Sequence, residues 1–72
     1  MNSKEDISTA VYSFIKSYRK LNRKSPTIRE IAHSCSLSVG GVVRHLDWLE
    51  AKGKIERNER QARSIIPTEE DA

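Results

Sequence analysis

The chain has 72 residues, of which 36% are hydrophobic and 32% charged, with 13 Lys and Arg against 10 Asp and Glu. A chain this short makes one domain that buries roughly 60% of the surface its unfolded form exposes, which leaves little room for a deep, enclosed active site. No apolar run approaches the ~20 residues of a membrane span. Met1 leads into Asn, Ser, Lys, Glu and Asp rather than an apolar signal segment, and the lone Cys35 does not suit a disulfide-stapled secreted domain, so a cytoplasmic protein with no membrane partner is expected.

Glu69, Glu70 and Asp71 fall after Pro67, and setting these three aside leaves 13 basic against 7 acidic residues over 1–66. Such a surplus favours an anionic partner, nucleic acid first. The expected organisation is a folded domain over residues 1–66 and a flexible acidic tail over 67–72.

In chain order, Ser3 and Asp6 resemble a helix cap, and Ile7, Ala10, Val11, Phe14, Ile15, Tyr18 and Leu21 then recur at helical spacing on one face. Lys16, Arg19, Lys20 and Arg23 on the other side fit a solvated face better than a phosphate-binding one. The segment from Asn22 to Pro26 ends this helix, because a residue preceding proline is pushed out of the helical region.

Thr27 and Glu30 form a T-x-x-E capping box, which starts a second helix at Ile28 with Ile28, Ile31, Ala32 and Cys35 as its apolar stripe. Cys35, Ser36 and Leu37 leave room only for a turn. Ser38 can cap a third helix, in which Val39, Val42, Val43, Leu46 and Leu49 recur at steps of three and four up to Gly53, a residue suited to a left-handed terminus. Beyond it, Ile55 lies in a short extended run, Asn58 to Gln61 is polar, and Ala62 to Ile66 forms a second run that ends at Pro67. A two-stranded hairpin carrying Ile55, Ile65 and Ile66 over one side of the helices is the economical reading. The expected fold is mainly α: a winged helix-turn-helix of three helices plus a two-stranded β-hairpin wing.

On a wheel at ~100° per residue the five aliphatic residues of the third helix form one stripe, with Gly40, Gly41, Arg44, His45, Trp48 and Lys52 roughly opposite. A helix that reads DNA needs one side held rigidly and another free to reach bases and phosphates. Gly40 and Gly41 each cost ~1 kcal/mol as helix residues. Two accounts of them stand side by side: bare backbone that approaches a phosphate or the groove floor, or glycines tolerated where the first turn frays. Arg44 suits a bidentate contact to guanine, the other account being an exposed arginine paired with Asp47 or Glu50. His45 reads as a phosphate or groove-edge donor. Trp48 either packs under the wing, joins a protein partner or lies near the DNA backbone. Arg57, Arg60 and Arg63 recur every third residue around the hairpin turn, where arginines reach phosphates or the minor groove, or else serve as solubilising charges on exposed strands.

His33, His45 and Cys35 do not make a three-ligand metal site with a second shell, so no metal is expected. The serines are explained by caps and surface positions, and there is no glycine-rich phosphate loop. Neither catalytic residues nor a cofactor are expected, and the chain reads as a non-enzyme.

Over Ser25–Ile66 the motifs PTIREIA, then SVGGVVRHLDWLEAKGKIE, then ARSI resemble the N-terminal winged-helix domain of LexA-type repressors. The T-x-x-E-I-A start and the H-L-x-x-L-x-x-K-G-x-I run are shared with other winged helices, whereas their spacing to A-R-S-I is closer to the LexA arrangement. The resemblance implies a helix from Ser38 that enters the major groove, DNA-contacting positions at Ser38, Gly40, Gly41, Val43 and Arg44, a wing contact at Arg63 and its neighbours, and Thr27 near a phosphate. The glycine pair departs from the family by replacing base-reading side chains, so the operator of known LexA-type repressors is not carried over to this chain and reduced contact specificity is expected, and Val43 falls nearer the core side of the wheel. The dimerisation and serine-lysine protease domain of such repressors is not among these 72 residues, which fits a stand-alone regulator and an excised half equally.

The reading favoured by the sequence is thus a sequence-specific double-stranded DNA-binding transcriptional regulator, a repressor, with a homodimer engaging two half-sites. The alternatives are a winged-helix protein-interaction module, such as an accessory or anti-repressor factor using Trp48, and a binder selective for nucleic-acid shape.

Overall fold

The computed structural model describes residues 4–58 and 64–68, and the first element in it is α1, Lys4–Asn22. Ser8, Val11 and Ile15 form its buried line, flanked by Tyr12 and Phe14. This line sits to one side of the expected stripe. Ala10 is exposed and Leu21 is 82% exposed, while the polar Ser8 is fully buried. Burial of a hydroxyl is tolerable only with a partner, and Ser8 Oγ lies 2.7 Å from His45 Nδ1 of the third helix. The expected cap residue Ser3 lies outside the described residues.

The connection to α2 (Ile28–Cys35) turns at Arg23, which adopts a left-handed conformation. The capping box is complete: the Glu30 amide donates to Thr27 Oγ1 at 3.1 Å and the Thr27 amide donates to Glu30 Oε1 at 2.8 Å. Glu30 Oε2 also accepts from the Tyr18 hydroxyl at 3.1 Å, so the start of α2 is tied to α1. Ser36 closes α2 in the left-handed region with φ 56°, and its amide and that of Leu37 both donate to the Ala32 carbonyl. This makes the turn of the helix-turn-helix and tucks Leu37 against the core.

Helix α3 runs over Val39–Ala51, with Ser38 Oγ accepting from the Gly41 amide at 3.0 Å. It ends in a Schellman arrangement. The Gly53 amide donates to Glu50 O, the Lys54 amide donates to Leu49 O, and Gly53 has φ 75°, a conformation open to a residue without Cβ.

Strands β1 (Ile55–Glu56) and β2 (Ile66–Pro67) pair antiparallel, with Ile55 opposite Pro67 and Glu56 opposite Ile66. Ile55, Ile65 and Pro67 are buried, whereas Ile66, expected to extend the core, faces outward at 43% exposure. Successive side chains of a strand point to opposite sides, so Ile65 and Ile66 cannot both face in. Below the strands, Ser64 Oγ accepts from the Asn58 amide and donates to the Asn58 carbonyl. Ordered structure also continues past the expected boundary at residue 66: Pro67 is paired, the Thr68 amide donates to Lys54 O at 2.9 Å and the Thr68 hydroxyl donates to Gly53 O at 2.6 Å. Residues 69–72 of the expected tail lie outside the described residues.

One core joins these elements: Val11 and Ile15 from α1, Ile31 and Ala32 from α2, Val42, Leu46 and Leu49 from α3, and Ile55 and Ile65 from the wing. Ser25 fastens its rim. The Ser25 hydroxyl is buried, accepts from Arg19 Nη1 at 2.7 Å and donates to the Ile65 carbonyl at 2.6 Å. The architecture is a winged helix-turn-helix, mostly helical, and among the described residues no helix is long and apolar enough to cross a membrane.

Candidate nucleic-acid interface

α3 is held from behind by Val42, Leu46 and Leu49, all essentially inaccessible, and presents Gly40, Arg44, Asp47 and Glu50 to the outside. Val39, expected in the core stripe, is 48% exposed, and Val43 is half-exposed beside it. The buried side of the helix is turned toward His45, which lies on the flank that bonds Ser8 of α1. The outward face of the first two turns therefore carries two valines in addition to the expected residues.

The two glycines separate. A Cβ built at Gly41 would lie 3.2 Å from Ser38 Oγ and 3.9 Å from Leu37 Cβ, so the bare backbone there makes room for the cap. A Cβ at Gly40 would meet nothing within 4 Å. The fold gives no steric reason for glycine at position 40, and Gly40→Ala should raise the unfolding free energy by up to about 1 kcal/mol, as helix propensity dictates. A thermal melt of the two proteins checks this, and a lower midpoint for the alanine variant would contradict it.

Arg44 is exposed. The two carboxylates that sequence spacing offered to it engage Arg57 instead: Arg57 Nε donates to Glu50 Oε1 at 3.1 Å and Arg57 Nη2 pairs with Asp47 Oδ1. Arg57, expected at the DNA backbone, thus turns its guanidinium onto α3 with its side chain only 10% exposed. His45, expected as a groove-edge donor, is half-buried with Nδ1 bonded to Ser8. Trp48 is half-buried against the core, and Lys52 Nζ lies 5.2 Å from its ring centroid. Ser38 and Thr27 stand at the N-termini of α3 and α2, each with its side-chain oxygen accepting from the helix it caps. Arg60 and Arg63 lie outside the described residues.

Sequence reasoning missed the partners rather than the elements. Ser8 and Ser25 looked like surface serines, and only the three-dimensional neighbours identify them as buried links. Among the described residues no three His, Cys, Asp or Glu side chains converge as metal ligands. Burial pushes the Cys35 thiol up from its ordinary value, which disfavours the thiolate that metal binding requires.

The LexA DNA binding domain family matches residues 7–64. The chain is 46% identical over 55 residues to the LexA repressor of Thermosipho melanesiensis, covering 76% of this chain and 28% of that repressor. It is 43% identical over 56 residues to the LexA repressor of Carboxydothermus hydrogenoformans, with the same coverage. Against the LexA repressor of Myxococcus xanthus it is 41% identical over 59 residues, covering 81% of this chain and 27% of that protein. The chain thus spans little more than a quarter of the length of these relatives, and within that span the capped α2, the turn and the outward-facing α3 all fall inside the matched region. This chain belongs to the LexA DNA-binding domain family.

Proposed function

We propose that the domain binds double-stranded DNA in sequence-specific fashion and represses transcription, with α3 entering the major groove from Ser38 and the wing lying over the adjacent backbone or minor groove, without catalysing a reaction. The observation that carries this reading is the outward face of α3. Its first two turns leave Gly40 and Arg44 with no part in the core, on a helix whose opposite side is fully buried. Arg44 reads a guanine, Gly40 lets the backbone approach closely, and Ser38 and Thr27 direct helix N-termini and hydroxyl protons at phosphates. Arg60 and Arg63 supply the wing's positive charge. A second copy of the chain bound to an adjacent half-site provides affinity through simultaneous engagement. A partner protein docking through Trp48 is the weaker reading, since the indole packs on the core and carries Lys52 across its ring.

Selection from a random duplex library tests the proposal. An enriched motif is expected, either as one half-site or as a spaced palindrome, and on the selected duplex log affinity should fall with log salt at a slope of roughly −4 to −5 if about four to six phosphates are engaged. A library that yields no motif, with equal affinity for unrelated duplexes, would defeat the sequence-specific reading.

A further inference from the structure

The outward surface of α3 carries an apparent contradiction for a DNA-binding helix. Asp47 and Glu50 stand on it three residues apart, 60% and 43% exposed, where they would face a polyanion with one charge per ~1.7 Å of duplex axis. Like charges brought together at an interface oppose binding. Arg57 resolves this. It follows β1 directly, reaches back across to α3, and places Nε on Glu50 and Nη2 on Asp47 while its own side chain stays 10% exposed. A planar guanidinium can serve two acceptors at once in a way that a lysine ammonium, a single point charge, cannot match.

We propose that Arg57 is a positioning residue for DNA binding: it screens the Asp47–Glu50 pair on the recognition helix, and its contribution to affinity passes through those carboxylates instead of through a phosphate. The proposal rests on the DNA-binding reading above. It also assigns the arginines of the wing region different duties, since Arg57 is committed to the two carboxylates of α3.

A mutant cycle on the selected duplex tests it. Arg57→Ala should weaken binding by roughly tenfold through the two carboxylates it uncovers. The double variant Asp47→Asn/Glu50→Gln should bind as tightly as the parent or more tightly, and adding Arg57→Ala to that double variant should cost less than about twofold. An equal loss from Arg57→Ala in both backgrounds would make Arg57 a phosphate contact and overturn the proposal. So would a double variant as weak as Arg57→Ala, which would mean that the ion pairs only brace the fold. Melting curves of all variants, followed through Trp48 fluorescence, identify any loss caused by unfolding. If Arg57→Ala does not fold, Arg57→Lys takes its place in the cycle with the same two outcomes, and a double variant that loses affinity still overturns the proposal. Failure of the unmodified domain to bind any duplex would overturn the underlying DNA-binding reading, and that result is visible before any variant is made.

Discussion

Leu46→Ala should lower the unfolding free energy by about 2–5 kcal/mol, the usual range for emptying a fully buried leucine site. Leu46 is inaccessible at the centre of α3, in the cluster shared by all three helices and the wing. A domain of this size is expected to have a total stability of only several kcal/mol, so the loss consumes much of it. The effect is functional as well as structural, because Leu46 is one of three residues that hold the outward face of α3 in place. Urea denaturation followed by the fluorescence of Trp48, the single tryptophan, measures it directly. The matching control is Leu21→Ala: at 82% exposure, that leucine should change stability by less than about 0.5 kcal/mol. A loss below about 1 kcal/mol at Leu46 would contradict the packing described here.

Arg44→Ala should leave stability within about 0.5 kcal/mol of the parent and weaken binding to the selected duplex by about 1–3 kcal/mol, or roughly five- to 150-fold. The reasoning is geometric. Arg44 is exposed on α3, and Asp47 and Glu50, the two acids of its own helix, are engaged by Arg57, which leaves the guanidinium available to an incoming ligand. If Arg44 reads a guanine, the variant should also lose its preference at one base pair, which competition with single-base variants of the duplex reveals. Uniform weakening on every sequence would instead make it a phosphate contact, and unchanged binding would remove it from the interface.

Features set by local chemistry were readable before any coordinates. The Thr27–Glu30 capping box, the Ser38 cap, the turn at Ser36 and the left-handed Gly53 each depend on residues a few positions apart, and each appears as expected. What was not readable depends on distant neighbours. His45 looked like an outward donor because nothing in its own helix indicates Ser8, 37 residues earlier. Val39, the first residue of α3, is 48% exposed although its spacing matches the core stripe, because how far the core extends over the end of a helix depends on its neighbours in the fold. Arg57 is the first in a periodic set with Arg60 and Arg63, and that periodicity obscures its partners on another element. Pro67 looks in the sequence like a stop, yet a residue without an amide proton still pairs in an edge strand when its nitrogen faces away from the partner.

The clasp at Thr68 has a further mechanical consequence. Its hydroxyl and amide grip the carbonyls of Gly53 and Lys54, the two residues that complete the C-terminal turn of α3 and lead into β1. The end of the helix and the root of the wing are thereby tied through a common joint, which couples a swing of one to the other. Helix and wing root then act as the two arms of a fixed caliper. A surface that touched both would meet them at a separation that these two hydrogen bonds, each worth about 1 kcal/mol, help to hold.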